Sequence, residues 1–229
     1  DNTYTGSTTV TNGVLTIGDG SSSVGSISSA SPLVIENGGE VLLANDIEVA
    51  SISGSGTIDL GFSPAYELTV GSDNSNSTFS GSLEGDGWIT KVGSGDLNLD
   101  LFASSEYGQL DIINNFGVDG GTLNLSSLED HDIRIDGIID SYASSSALVS
   151  IDAGSRDLVL DGSIIANEGP LHVEAKGGAV LLDDSETIQT QGGDSVLWSN
   201  PDGVQSGAGA HYILLEAGTS LDSAGGNIT

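Results

Sequence analysis

The chain has 229 residues, among them 34 Gly and 4 Pro with no Cys or Met, and 33 acidic side chains against 4 basic ones give it a formal net charge of −29. Without cysteine there is no disulfide framework and no thiol chemistry. The charge excludes phosphate backbones and anionic lipid as partners, and no apolar run approaches the ~20 residues of a membrane span, so neither nucleic acid nor membrane insertion of this segment is expected.

The opening, Asp1–Gly20, reads as strand, turn, strand. Thr8-Thr9-Val10 meets the tight-turn pair Asn12-Gly13, and Val14-Leu15-Thr16-Ile17 follows. Alternation turns Val10, Leu15 and Ile17 inward and the threonines outward. After a Ser-rich connection come Pro32–Ile35, Val41-Leu42-Leu43, Ile47-Glu48-Val49, Ile52 and Ile58-Asp59-Leu60, then a less regular excursion over Phe62–Tyr66 and a return to strand at Leu68-Thr69-Val70. Across residues 79–99, short alternating runs are separated by Gly81 and by Gly93-Ser94-Gly95.

From Leu101 to Phe116 the pattern loosens around Phe102, Tyr107 and Phe116, which reads as a lateral loop or a seam between two repeat types. Strands resume at Val118 and recur through Leu123–Leu125, Ile133–Ile135, Leu148–Ile151, Leu158–Leu160, Leu171–Val173, Val180–Leu182, Val196–Trp198 and Tyr212–Leu215. The division expected is 1–100, a seam at 101–117, and 118–229 continuing the same rod. The start at Asp1 and the stop within the pattern at Gly225–Thr229 read as a piece of something longer.

No window carries a sustained helical stripe, and Gly with β-branched residues disfavours helix, so the chain is all-β. Val, Ile and Leu recurring throughout set it apart from a disordered Gly/Ser linker. Strands of two or three inward side chains cannot make a core alone; stacked on their successors they can. The expectation is a parallel β-solenoid of roughly ten coils, each about 20–25 residues. Gly39, Gly56, Gly95, Gly121, Gly162, Gly178 and Gly193 flank strands, at corners where the backbone bends sharply.

The stretch 79–99 resembles the passenger-associated repeat of bacterial autotransporters, F-S-G-x-(I/L)-x-G-x-G-x-(I/L)-x-K-x-G-x-G-x-L-x-L. Phe79, Ser80, Gly81, Leu83, Gly85, Gly87, Ile89, Lys91, Gly93, Gly95, Leu97 and Leu99 fall on it. The segment from Tyr4 to Gly18 looks like what usually follows such a repeat. Leu148–Leu160, Leu171–Leu182 and the closing Gly-Gly-Asn-Ile-Thr are similar to the looser repeats of filamentous-haemagglutinin-type secreted proteins. These resemblances imply a right-handed parallel β-helix, secreted or displayed at the outer surface of a Gram-negative cell, and they fix no activity.

Enzymatic β-helices offer a contrast. Glycoside hydrolysis needs carboxylates converging on a cleft, and the N-T-D, G-H-G and R-I-K elements that accompany the paired aspartate of polygalacturonases are missing here. Four scattered basic residues do not form a lyase cluster. His131, His172 and His211 lack metal-ligand spacing, and His172, alternating with Leu171 and Val173, should face solvent. The acidic clusters that include Asp130 and Asp132, and Asp183, Asp184 and Glu186, read first as solvated loops and second as oxygen ligands for Ca²⁺. Trp88 and Trp198 are expected at coil corners or inside, with an exposed Trp stacking on a sugar ring as the other reading. Lys91 is expected to pair with a neighbouring acid.

The function expected is that of a structural or adhesive segment of a secreted, surface-displayed fibre, without catalysis. The alternatives are a self-assembling filament or matrix subunit stacking end to end, with cations bridging the copies, and a polysaccharide-binding or polysaccharide-cleaving β-helix. The partners to match are other copies or adjoining segments of a longer chain, and host-surface or matrix glycans.

Overall fold

The computed structural model describes residues 2–20, 25–102, 109–127, 132–141, 148–153, 156–166, 170–175, 180–182, 187–190, 193–199 and 213–229. Every strand pairing in it is parallel, and the strands stack into a solenoid of the right-handed β-helix kind. The chain visits three faces in turn. Sheet A has nine strands, from Thr8–Val10 to Ser195–Ser199, and sheet C has eight, from Ile47–Val49 to Ser220–Asp222. At ~4.8 Å per step, the nine strands of sheet A make a rod of about 40 Å.

Alternation decides what goes inside. In Asp96–Leu101 the burial alternates residue by residue, with Leu97, Leu99 and Leu101 inward. Parallel register then stacks like on like: Leu68, Ile89, Phe116, Ile139, Ile164 and Ile188 form one apolar column along sheet C. Each buried aliphatic side chain contributes about 1.5–3 kcal/mol. Because every coil supplies only a few, the core is stable as a column and not as separate coils. Coil length varies around the stack, with 20 residues from Thr78 to Asn98 and 26 from Asn98 to Asn124.

The third face is interrupted. Sheet B holds four strands, Gly13–Ile17, Gly39–Leu43, Thr57–Asp59 and Ser82–Glu84. Sheet D takes over the same place in the coil with five, from Gln109–Ile112 to Ile213–Leu215. No ladder joins Ser82–Glu84 to Gln109–Ile112. Among the described residues, the bonds across the gap include that from Phe102 N–H to Gly81 O at 3.0 Å and that from the buried Asn114 amide to Gly85 O at 2.6 Å, 29 residues away. Span 101–117 therefore holds strands as well as a break, and Phe116 is core. Tyr107 lies outside the described residues.

Candidate functional site

The residues of the 79–99 motif divide into core and corners. Phe79, Ile89, Leu97 and Leu99 are fully buried. Phe79 stands in register on Gly54, and its ring reaches under the next corner, where a Cβ on Gly81 would lie 2.5 Å from Phe79 Cζ and 2.1 Å from Gly56 O. Phenylalanine two residues before glycine is thus one packing unit. At Gly95 a Cβ would lie 2.2 Å from Ser75 O of the coil below. Gly85 and Gly93 turn with positive φ, and Gly87 sits close on Tyr66 O.

Lys91 departs from expectation. Register sets it between Val70 and Val118 on the inward side of sheet C, and it is 1% exposed. No carboxylate bonds it. Its ammonium donates instead to three backbone carbonyls, Val92 O at 2.5 Å, Gly93 O at 2.9 Å and Gly120 O of the next coil at 3.3 Å. An ammonium has three donors, and all three find acceptors at the corner. Burial pushes its pKa down, and the nearby charge of Asp96 offsets part of that. The four-carbon stem carries the charge out of the apolar column to the carbonyls.

The outer faces are polar ladders. On sheet A, Asn124 Nδ2 donates to Asn98 Oδ1 at 2.8 Å, and Asn98 Nδ2 donates to Ser77 O at 3.1 Å. Further along the same face, Trp198 is 50% exposed, so it is neither inside nor at a corner as expected; its ring meets His172 edge-on at 6.4 Å. Trp88 is half-buried on the outer side of sheet C. On sheet D, Arg134 pairs with Asp136 at 2.7 Å and with Asp161, which raises its pKa. Of the acidic residues proposed for a cation, Asp132 Oδ1 accepts from the Asp157 N–H at 3.2 Å. Asp130, Asp183, Asp184 and Glu186 lie outside the described residues. Among the described residues no three His, Cys, Asp or Glu side chains gather closely enough to hold a metal.

Among the described residues, a concavity of about 530 Å³ runs along the corner between sheets A and B. Its shape follows from unequal turns. The turn through Asn37-Gly38 is long and projects, whereas Ser55-Gly56 and Ser80-Gly81 cut the corner short. Beyond them Phe102, 43% exposed, closes the far side.

The chain is 28% identical to the adhesin BmaC autotransporter of Brucella suis biovar 1 (strain 1330), over an alignment of 229 residues. That alignment takes in 96% of this chain and 6% of that protein, so the chain spans a small fraction of its relative's length. No protein-family model matches the chain. No solved structure matches it either. The chain is thus an all-β solenoid with a partial likeness to an autotransporter adhesin.

Sequence reasoning missed two of the residues described above and the corner concavity. Nothing in the alternating pattern flagged Asn114 as a clamp, and Lys91, although it shares the parity of the inward Ile89, was matched to an acid and not to the corner carbonyls. For the corner concavity, the signal was present in the turn lengths: four polar or glycine residues at 36–39 against two at 55–56 and at 80–81.

Proposed function

We propose that the chain is a structural, adhesive segment of a secreted β-solenoid fibre, displayed at the outer surface of a Gram-negative cell and without catalysis of its own. The observation that carries this reading is the pair of uninterrupted parallel ladders, sheets A and C, wound around one apolar column. Such a rod derives its use from stiffness and reach, and it offers long polar faces to whatever it meets. The partial likeness to an adhesin supports the adhesive half of the reading. The charge of −29 supports an exposed setting, since like-charged rods repel and stay soluble.

The test is display. The whole chain is fused to an outer-membrane anchor in a non-adherent Gram-negative strain, its exposure is verified by antibody, and adherence to epithelial cells and matrix-coated plates is scored. Increased adherence is expected. Full exposure with adherence unchanged would reduce the segment to a spacer.

A second reading, end-to-end stacking into a filament, extends the same parallel coil-on-coil pairing from one copy to the next. Ca²⁺ would bridge the acidic rods in such a filament. Sedimentation velocity at rising concentration, with Ca²⁺ and with chelator, tests it; one slow species under both conditions sinks it.

A further inference from the structure

We infer that the corner groove between sheets A and B is a binding site for a neutral oligosaccharide, lying lengthwise along the rod. Its floor has no side chains at its deepest points, because Gly39, Gly56 and Gly81 are all buried there, each too close to a carbonyl to carry a Cβ. A flat ring can therefore lie against backbone.

Two polar columns border that floor. On the sheet B side, parallel register stacks Glu40, Thr57 and Ser82. On the sheet A side the corner hydroxyls are those of Ser55 and Ser80. Hydroxyls both donate and accept, which suits the hydroxyls of a sugar and gives no preference for an ion. Among the described residues, the single ionisable group lining the groove is the Glu40 carboxylate, and no Lys, Arg or His lines it. A phosphate, sulfate or uronate would meet an unscreened acid inside a strongly negative molecule, so anionic glycans are excluded.

Phe102 supplies the apolar element. Its backbone is held by the bond to Gly81 O, and its ring stays 43% exposed at the end of the groove. An aromatic face beside convergent polar groups, in a concavity of about 530 Å³, matches the make-up and size of small-ligand sites. Coils follow one another at ~4.8 Å, close to the length of one hexose, so successive rings fall against successive coils. From the Asn37 turn to Phe102 there are three coil steps, which sets a trisaccharide as the unit.

The inference rests on the adhesive reading above for its biological sense, and the two fail separately. A chain that binds trisaccharide but confers no adherence keeps the groove and loses the adhesin; adherence without trisaccharide binding does the reverse.

The experiment uses the whole chain with N,N′,N″-triacetylchitotriose, cellotriose and maltotriose as neutral probes and trigalacturonate as the anionic one, followed by saturation-transfer NMR and titration calorimetry. At least one neutral trisaccharide is expected to bind. Phe102→Ala should weaken that binding about tenfold, and Ser55→Trp, which fills the groove, should abolish it. Glu48→Trp, on the exposed outer face of sheet C, should leave it unchanged. Both groove positions are exposed, so melting curves should match the unsubstituted chain. The inference is overturned if no neutral probe binds at about 10 mM, if trigalacturonate binds as well as the neutral probes, or if neither groove substitution changes the affinity.

Discussion

The Lys91 ammonium lies 3.3 Å from the carbonyl of Gly120, on the coil above its own, and so ties two successive corners together from inside the rod. Its other two bonds, to Val92 O and Gly93 O, close the turn of its own coil. A lysine in the column of Val70 and Val118 is tolerated because the corner offers a full set of acceptors.

Lys91→Met keeps the stem and removes the donors, so the three half-buried corner residues lose the ammonium their carbonyls accept from. The expected loss is about 1–3 kcal/mol, read from urea unfolding. A melting point equal to or above that of the parent would show that the carbonyls find water and that the charge was a net burden.

The same group sets a pH dependence. Burial lowers the folded-state pKa of Lys91, so between that value and the usual lysine value the unfolded chain holds a proton that the folded chain has shed. Stability attributable to this group therefore rises as pH climbs through that alkaline window and is flat on either side. The difference in stability between the parent and Lys91→Met should grow there. A difference that shrinks with rising pH would reverse the sign and refute the assignment.

Gly81→Ala places a methyl against Gly56 O and the Phe79 ring. Overpacking of this kind costs about 1–3 kcal/mol. Phe79→Leu alone should cost somewhat less than the 3–5 kcal/mol of a truncation to Ala, about 1–2 kcal/mol. If the two residues form one unit, the double variant loses less than the sum of the single ones. Strict additivity in denaturant unfolding would separate them.

Asn114→Ala removes one of the bonds across the interruption between sheets B and D. The buried Gly85 carbonyl loses its partner, at a cost of about 1–3 kcal/mol. Hydrogen exchange should show the Ser82–Glu84 amides opening faster than those of Asp96–Leu101, which is paired on both sides. Uniform protection along both strands would contradict the interruption.

Arg134 offers a contrast. Its contacts with Asp136 and Asp161 are good, yet its side chain is 38% exposed. Arg134→Gln should change stability by less than about 1 kcal/mol, and less again at high salt. A larger loss would mean that the pair organises sheet D.

What the sequence determined by itself is the kind of molecule. Strict alternation in Asp96–Leu101 and Leu148–Asp152 assigns the faces, the recurring short apolar runs require stacking, and glycine after Phe79-Ser80 marks a corner. These properties are legible because they are local: side-chain direction follows residue parity, and a corner needs its small residue within the same turn.

Tertiary structure alone decided what depends on which residues meet across coils. Lys91 reads as the partner of a neighbouring acid until register sets it between two valines and a neighbouring coil brings Gly120 O within reach. Trp198 reads from the sequence as a corner or inside residue until its place in Ser195–Ser199 turns it outward beside His172. The interruption held by Asn114 and Gly85, and the groove between the Asn37 turn and Phe102, arise from coils of unequal length lying on one another. Contacts between residues 20 to 29 apart are set by stacking, and a linear pattern does not carry the register of its own stack.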